Sequence, residues 1–439
     1  MTFISKIKYK LSLYLLKIYS IFNNDFFLFL SLTLKVVKYG NGKKNIFVFT
    51  KAEFKYDIEY LSTKYSDYAF HCLEVGNLKR IQKNFFLYHT YTPSEYLENF
   101  NKRNISDYNK FMSKFIKKVK KKYQFPLIIS CNLIYTPLRN LGQICEEQNI
   151  KYLIIYKEGL YLNFSEDMKK SFEDYAKKNL FGDIIFKCDT VCCINEHIKN
   201  EIILNKKYNI NVKGQISITG LPRFERARKQ EINDINLEKI SKKYSIITLF
   251  DLDVIQAAFR FEPRIINNDT NYLKNLEDKI LDLYEEILNF IKDNPKFFLI
   301  FKIKPTNSIK NKFNNFFYEV VNKKKISDRV FSYKTYDSLK LINYSKLVIS
   351  MPSTICLETI CRDKKLLIPN LKSFFNHNKW HFFFNNEHLV YFFETQTDIE
   401  SLMQEVIPSH NNSNFLDEMI ALDKVGSSTK IINEIEKLI

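Results

Sequence analysis

The sequence lacks the patterns that define a zinc site or a disulfide framework. Its eight cysteines include no CxxC pair, and the seven histidines do not combine with them at the spacing of metal ligands. Several cysteines lie inside apolar runs, which is typical of small buried residues in a reducing compartment. We therefore expect no metal site, and the pair Asp251 and Asp253 resembles a metal-binding DxD motif only in its letters.

An uninterrupted apolar span of 18 residues is also missing, and so are a signal-peptide cleavage site and a repeat of solenoid period. Residues 1–40 come nearest to such a span, with six lysines, one acid and mostly apolar stretches at 11–16 and 26–34. Two interpretations are open. The segment is a basic, amphipathic N-terminal piece lying on a membrane surface, or it forms the first core helices of a domain.

Acidic residues are too few to balance the basic ones. The chain has 67 Lys and Arg against 49 Asp and Glu, a formal net charge of +18 and a pI near 9.2. The lysines are spread along the chain and no RNA- or DNA-binding signature accompanies them, so we expect no nucleic-acid partner. Anionic small substrates and an anionic membrane surface fit this charge better.

What is present is a globular composition and a regular alternation of strand-like and helix-like patterns over 439 residues. Buried strands are predicted at 45–50, 125–130, 152–156, 190–195 and 215–220, and a second series at 245–250, 297–304, 330–332, 347–349 and 365–369. A highly charged segment at 226–243 separates the series. We therefore predict two doubly wound α/β domains, residues 41–235 and 236–439, after the segment 1–40.

One stretch carries the clearest site pattern. A strand at 347–349 leads into a turn at Ser350 and then into a helix opened by Ser353 and Thr354. The amides of such a first turn, together with the helix dipole, bind anions. Glu358 lies just over one turn further on, where a carboxylate reaches ribose hydroxyls beside a bound phosphate. The alternative is ordinary helix capping, which uses the same residue types.

Three motifs occur in an order that resembles GT-B glycosyltransferases of bacterial capsule and lipopolysaccharide synthesis. They are Thr219-Gly220-Leu221-Pro222-Arg223-Phe224, Lys302-Ile303-Lys304-Pro305, and the stretch from Ser350 to Glu358. The resemblance implies two Rossmann-like doubly wound domains facing a cleft, with the donor nucleotide on the C-terminal domain and the acceptor on the N-terminal one. It also implies phosphate-binding roles for Arg223, Lys304, Pro305, Ser350, Ser353 and Thr354, and no metal.

The sequence departs from the family pattern at Lys304, where relatives carry histidine. A lysine there neutralises a phosphate as a point charge, but it does not act as a proton donor near neutral pH as histidine does. The alternative is an exposed lysine at a strand end. Arg223 likewise has two interpretations, a phosphate or carboxylate clamp and a surface ion pair joining the two domains.

Lys157-Glu158-Gly159 resembles the acidic motif of bacterial CMP-sugar sialyltransferases, although Lys157 stands where the first acid belongs. The resemblance assigns Glu158 the role of general base toward an acceptor hydroxyl, a role that a loop carboxylate performs without a metal. A solvated loop acid is the alternative.

Together these residues predict an inverting, metal-independent glycosyltransferase that needs no cofactor. Its donor would be a CMP- or UDP-linked sugar, and its acceptor an oligosaccharide or lipid-linked surface glycan. The predicted location is cytoplasmic, with peripheral contact to the inner face of the membrane under the first interpretation of residues 1–40. Three alternatives stay open: a CDP-polyol phosphotransferase, a UDP-sugar 2-epimerase of the same fold, and a non-catalytic scaffold for glycan assembly.

Overall fold

The computed structural model describes the following residues: 7–8, 10–15, 18, 25–51, 54–82, 85, 103–132, 136–157, 186–196, 198–200, 210–212, 214–229, 231–252, 269–303, 310–334, 336–374, 390–404, 417 and 419–439. The chain divides into two compact units. The first unit comprises residues 1–158, 174–225 and 414–439, and the second comprises residues 159–173 and 226–413. Each unit contains one large sheet covered by helices, which confirms the predicted fold class.

The first unit is built on a seven-stranded sheet in the order β1-β3-β2-β4-β5-β7-β9. Its strands are β1 (Val37–Tyr39), β2 (Lys44–Thr50), β3 (Tyr68–Glu74), β4 (Leu127–Ser130), β5 (Lys151–Ile155), β7 (Thr190–Cys193) and β9 (Ile216–Ile218). Only β1 runs antiparallel to its neighbour within this sheet. Two further strands, β6 (Phe186–Cys188) and β8 (Ile210–Val212), form a separate parallel pair.

Buried apolar runs explain why these segments are strands. The last five residues of β2 and all four residues of β4 are buried, as expected for a parallel sheet covered on both faces. Around the sheet lie the helices α1 (Asp25–Thr33), α2 (Lys55–Lys64), α3 (Val75–Gln82), α4 (Arg103–Tyr123) and α5 (Leu141–Glu147).

The described end of segment 1–40 takes part in this core. On α1, Leu28 and Leu32 are buried, and the Phe29 ring stacks on Phe111 of α4 with centroids 5.0 Å apart. Residues 25–33 therefore follow the second interpretation and form a core helix of the first unit. Within the described residues, no helix is long and apolar enough to cross a membrane.

The second unit contains a six-stranded sheet in the order β12-β11-β10-β13-β14-β15, with every neighbouring pair parallel. The strands are β10 (Ser245–Phe250), β11 (Phe297–Lys302), β12 (Val330–Tyr333), β13 (Ser345–Ile349), β14 (Lys365–Pro369) and β15 (Tyr391–Phe393). Counted from β10, this is the 3-2-1-4-5-6 order of dinucleotide-binding sheets.

Helices alternate with these strands along the chain. They are α7 (Ile235–Ser241), α8 (Thr270–Asp293), α9 (Lys310–Lys323), α10 (Ser338–Tyr344), α11 (Thr354–Cys361) and α12 (Gln396–Gln404). Asp234 caps α7 by accepting from two backbone amides, and Asp269 and Asp337 each accept one amide in the same way at α8 and α10. The aspartates fix where three of the crossover helices begin.

The observed units differ from the predicted boundaries at the C-terminus. Residues 414–439, which we expected in the second domain, belong to the first unit. The helix α13 (Ser427–Glu436) buries Ile431 and Ile435, and Glu436 accepts a hydrogen bond from Lys44 of β2 at 2.6 Å. Burial of this apolar face against the first sheet fixes the segment there.

The other boundary lies ten residues earlier than the predicted one, between 225 and 226 instead of 235 and 236. It falls inside the helix α6 (Pro222–Lys229). Arg226 forms an ion pair with Asp337 at 2.5 Å, and the Ala227 carbonyl accepts from Arg362 at 3.0 Å, so both residues belong with the second unit. The charged segment 226–243 thus belongs to the second unit, and many of its side chains are exposed on that unit.

Candidate nucleotide-binding edge of the second sheet

The strand order of the second sheet indicates the edge at which a ligand is expected to bind. The connection from β10 leads to β11 on one side, and the connection from its neighbour β13 leads to β14 on the other side, so the two connections diverge. In open α/β sheets, ligands bind outside the carboxyl ends of the strands at such a switch point. The segments concerned are Asp251–Leu252 after β10 and residues 350–354 after β13.

The turn after β13 is held by its own polar groups. The Ser350 amide donates to the Leu367 carbonyl of β14 at 3.1 Å, and the Ser350 hydroxyl donates to the Met351 carbonyl at 2.8 Å. Ser350 is buried, with 2% of its surface exposed. Its hydroxyl thus helps to shape the turn, and its direct contact with a phosphate stays a prediction.

Ser353 and Thr354 open helix α11 as predicted. Ser353 is the N-cap in an extended conformation, with φ of −163° and ψ of 178°, and its side chain makes no capping hydrogen bond. The Cys356 amide donates to the Ser353 carbonyl at 3.0 Å. The amides of Thr354 and Ile355 precede that bond in the chain, and both Ser353 and Thr354 are half-buried. First-turn amides of this kind are the donors that bind phosphate at helix N-termini.

Glu358 lies on the same short helix, four residues after Thr354. Its side chain is buried, with only 7% of the residue exposed. Buried carboxylates require partners, and a helix of eight residues brings this one to within about one turn of the N-terminal amides.

The end of β10 carries a carboxylate that the sequence analysis set aside. The Tyr284 hydroxyl on α8 donates to Oδ1 of Asp251 at 3.2 Å and accepts from the Leu252 amide at 3.1 Å. Tyr284 thereby fixes the chain where it leaves β10 at the switch point. Asp253 lies outside the described residues. Within the described part, no three His, Cys, Asp or Glu side chains gather as metal ligands, and metal independence stays a prediction.

Arg223 pairs with a carboxylate inside the first unit. Its Nε donates to both carboxylate oxygens of Asp57 at 3.2 and 3.1 Å, and its backbone amide donates to Oδ1 at 2.8 Å. Both residues belong to the first unit and both are buried. Because the partner carboxylate lies in the same unit, the ion pair does not join the two units, and it gives Arg223 a structural role. Its role as a phosphate clamp stays a prediction.

Three predicted site residues, Glu158, Lys304 and Pro305, lie outside the described residues. The nearest described residues precede them in the chain. Lys157, which follows β5, is buried, and Lys302 at the end of β11 donates to the Lys334 carbonyl at 2.9 Å. The roles of all three residues stay predictions from the resemblance.

The cysteines are buried thiols, as their apolar surroundings indicated. All eight are free and buried in the structure. Burial raises the pKa of Cys356, which follows the switch-point turn, to about 12. A thiol with so high a pKa is not a nucleophile near neutral pH.

No protein-family model and no curated protein matches the sequence. Solved structures do resemble it. A putative UDP-N-acetylglucosamine 2-epimerase from Listeria monocytogenes superposes with a TM-score of 0.50 at 10% identity, covering 90% of this chain and 96% of that one.

Two further solved structures show weaker likeness. The UDP-GlcNAc 2-epimerase from Neisseria meningitidis bound to UDP-GlcNAc has a TM-score of 0.47 at 12% identity, covering 90% of this chain and 99% of the other. A glycosyltransferase from Rickettsia africae has a TM-score of 0.43 at 15% identity, covering 91% and 98%. At such low identity the likeness concerns the fold alone. The likeness to the Listeria structure, together with the two sheets of mainly parallel strands, agrees with the predicted GT-B architecture of two Rossmann-like units.

Proposed function

We propose that this chain is a nucleotide-sugar-dependent enzyme of the GT-B fold, and specifically a glycosyltransferase acting on a surface glycan. The observation that carries the proposal is the coincidence of two independent features. The strand order defines a ligand-binding switch point between β10 and β13, and the predicted phosphate-binding turn, residues 350–354, follows β13 at that point.

In this proposal the amides of Thr354 and Ile355 bind a donor phosphate, and Ser350 holds the turn in shape. Glu358 accepts hydrogen bonds from ribose hydroxyls, and Lys304 neutralises the departing nucleotide phosphate. Stabilising charge where it develops on the leaving group is the largest single contribution to many such transfers.

Glu158 is the proposed general base, taking the proton from the acceptor hydroxyl as that oxygen attacks the sugar carbon. A single displacement of this kind inverts the configuration at that carbon. The base has to lie within hydrogen-bond reach of the acceptor hydroxyl in the productive complex. Removal of Glu158 should therefore abolish transfer while nucleotide binding persists.

A second candidate function is epimerisation of a UDP-sugar. The likeness to the Listeria protein, whose name is a putative UDP-N-acetylglucosamine 2-epimerase, favours it over the polyol-phosphate and scaffold alternatives. The two reactions differ in their need for an acceptor. Incubation with a UDP-sugar alone, followed by analysis of the sugar, yields an epimer in one case and the unchanged donor in the other.

Thermal denaturation with UDP, CMP, CDP and GDP tests the binding site, because a ligand of the native state raises the melting temperature. The variant Thr354→Pro removes one first-turn amide at a position where proline is compatible with the helix. The matched control is Ile235→Pro, at the first position of α7, which also follows an extended N-cap, Asp234.

We expect one nucleotide to stabilise the wild type and the Ile235→Pro control equally, and Thr354→Pro to lose most of that stabilisation. A CMP preference would favour a sialic-acid-like donor, and a CDP preference the polyol-phosphate alternative. If no nucleotide stabilises the wild type, or if Thr354→Pro responds like the control, the proposed site is wrong.

A further inference from the structure

A strongly basic helix surface stands out on the first unit. Helix α4 carries seven lysines and one arginine against a single acid, Asp107. Lys110, Lys114, Lys117 and Lys121 are all exposed and recur at the i, i+4, i+7, i+11 spacing that places side chains on one face of a helix. The opposite face of α4 is buried in the core and includes Phe111 and Phe115.

Exposed apolar side chains lie on the neighbouring helix. The Phe29 ring of α1 packs on α4, and the Lys118 ammonium lies 4.1 Å from its centroid, so α1 runs beside the basic surface. One turn apart on the same helix, Phe26 and Leu30 leave 55% and 37% of their surface exposed. Two such residues on one face, next to charges of one sign, differ from the scattered apolar residues of an ordinary surface.

Residues 10–15 extend this apolar surface. The Ser12 and Ser31 hydroxyls lie 2.8 Å apart, and the Ser31 hydroxyl also donates to the Ser12 carbonyl at 3.1 Å, so this helical segment is joined to α1. Ile7, Leu11 and Tyr14 are 50%, 45% and 61% exposed and follow the i, i+4, i+7 spacing of one helix face.

We propose that this surface, made of the α4 lysines and the exposed apolar residues of α1 and residues 7–14, binds the surface of an anionic phospholipid bilayer. Apolar side chains of this size insert at the boundary between headgroups and acyl chains, while flanking lysines attract lipid phosphates. Helix α1 contributes to both the core and this surface, because Phe29 points toward α4 while Phe26 and Leu30 are exposed.

Charge and shape favour a bilayer over a nucleic acid as the occupant. Nucleic-acid surfaces combine cations with aromatic rings that stack on bases, or with arginine forks that read base edges. Here the cations are lysines, and four of the six exposed apolar residues described on this surface are aliphatic, namely Ile7, Leu11, Leu13 and Leu30. Aliphatic side chains gain free energy from acyl chains and not from stacking.

Flotation of the full-length protein with vesicles tests the proposal without any nucleotide, so its result is independent of the proposed enzymatic function. The vesicles contain phosphatidylcholine alone or with 30 mol% phosphatidylglycerol (about one lipid in three, enough for a negative surface). We expect binding to the anionic vesicles only, weakening as the salt concentration rises.

The charge requirement is tested by the triple variant Lys114→Glu, Lys117→Glu and Lys121→Glu. A lysine near an anionic surface contributes about fivefold to the partition coefficient, so loss of three should reduce it by about a hundredfold. The control is Lys239→Glu, Lys242→Glu and Lys243→Glu, three exposed lysines of the second unit, with the same change in net charge. It should retain most of the binding.

The apolar contribution is tested by Phe26→Ser with Leu30→Ser, which should bind at least about tenfold more weakly while keeping the circular-dichroism spectrum of the folded protein at the assay temperature. Three results would each overturn the proposal. Both triple variants could lose vesicle binding equally, or the wild type could bind neutral vesicles as well as anionic ones. The wild type could also bind duplex nucleic acid more tightly than anionic vesicles.

Discussion

Asp57 accepts hydrogen bonds from both the backbone amide and the guanidinium of Arg223, 166 residues further along the chain. The carboxylate therefore fixes the start of helix α6 in two ways at once, through the main chain and through the side chain. The Asp57 side chain is fully buried and that of Arg223 is 11% exposed, so neither charge has much access to water. Removing one partner of such a buried ion pair strongly destabilises the fold, because the other charge stays buried without compensation.

Removal of the Asp57 carboxylate should be severely destabilising. Asp57→Ala leaves the Arg223 charge buried without its carboxylate, and we expect the free energy of unfolding to fall by about 3–5 kcal/mol. Urea denaturation followed by circular dichroism measures the change. The control Glu238→Ala breaks the exposed Lys242–Glu238 pair and should cost less than about 1 kcal/mol. A similar cost for both variants would show that the buried pair does not hold α6.

Glu225 should make stability depend on acid pH. Burial alone would raise the pKa of its carboxyl, but hydrogen bonds from Lys64 at 2.6 Å and the Ser428 amide at 2.8 Å outweigh it, and the pKa is lowered. A lowered folded-state pKa contributes stability that is present above the unfolded pKa and is lost as pH falls through the folded one. That contribution should therefore be complete at neutral pH and decline below about pH 4.

The variant Glu225→Gln should be less stable than the wild type at pH 7 and should lose less stability than the wild type between pH 5 and pH 3. Unfolding in urea at a series of pH values shows the difference in slope. The control Glu319→Gln, an exposed residue of α9, should follow the wild type. If Glu225→Gln has the same pH dependence as the wild type, the carboxylate does not supply this contribution.

Gly220 should not tolerate a side chain. It has φ of +69°, and an added Cβ would meet the Ile420 carbonyl oxygen at 2.4 Å. We expect Gly220→Ala to lower the free energy of unfolding by at least about 1–2 kcal/mol, the cost of a left-handed conformation before any clash is counted. Gly76→Ala is the matched control, since a Cβ on that α3 glycine meets nothing within 4 Å and should stabilise by about 0.5–1 kcal/mol. Thermal melts should show a lower melting temperature for Gly220→Ala and a higher one for Gly76→Ala than for the wild type.

Variants of Glu358 and Glu158 should differ in their effects, the first on nucleotide binding and the second on sugar transfer. Glu358→Gln loses the charge that accepts ribose hydroxyls in our proposal, and nucleotide affinity should fall by roughly tenfold or more, the value of a charge-assisted hydrogen bond. Glu158→Gln should keep that affinity and lose transfer. Calorimetric titration with the stabilising nucleotide, beside a transfer assay, distinguishes them. A Glu158 variant that still transfers sugar would rule out its role as base.

The strands were predictable from sequence because parallel strands are buried on both faces and appear as short apolar runs. The predicted strands 245–250 and 365–369 have the observed bounds of β10 and β14. The loop after β13 was predictable for a related reason. Its helix begins with hydroxyl residues directly after such a run, and the observed N-cap is Ser353.

The contacts made over long separations were not predictable. The sequence around Asp57 does not indicate that Arg223 is its partner. The apolar face of α13 predicts that this helix is buried, but it does not predict which of the two sheets the helix covers. The same limit applies to the hydroxyl of Ser350, whose contact with a phosphate stays a prediction. A serine in a turn looks alike in sequence whether its hydroxyl binds a ligand or, as here, the Met351 carbonyl.

The membership of residues 414–439 in the first unit has a consequence for synthesis of the chain. The last residue of the second unit is 413, so all residues of that unit have been made once residue 413 leaves the ribosome. The first unit, although it begins earlier, still waits for the strand-covering helix α13 and for the Ser428 amide that Glu225 requires. Of the two units, the one that begins earlier in the chain is therefore completed later, and until then its Glu225 carboxylate lacks the Ser428 amide as a partner.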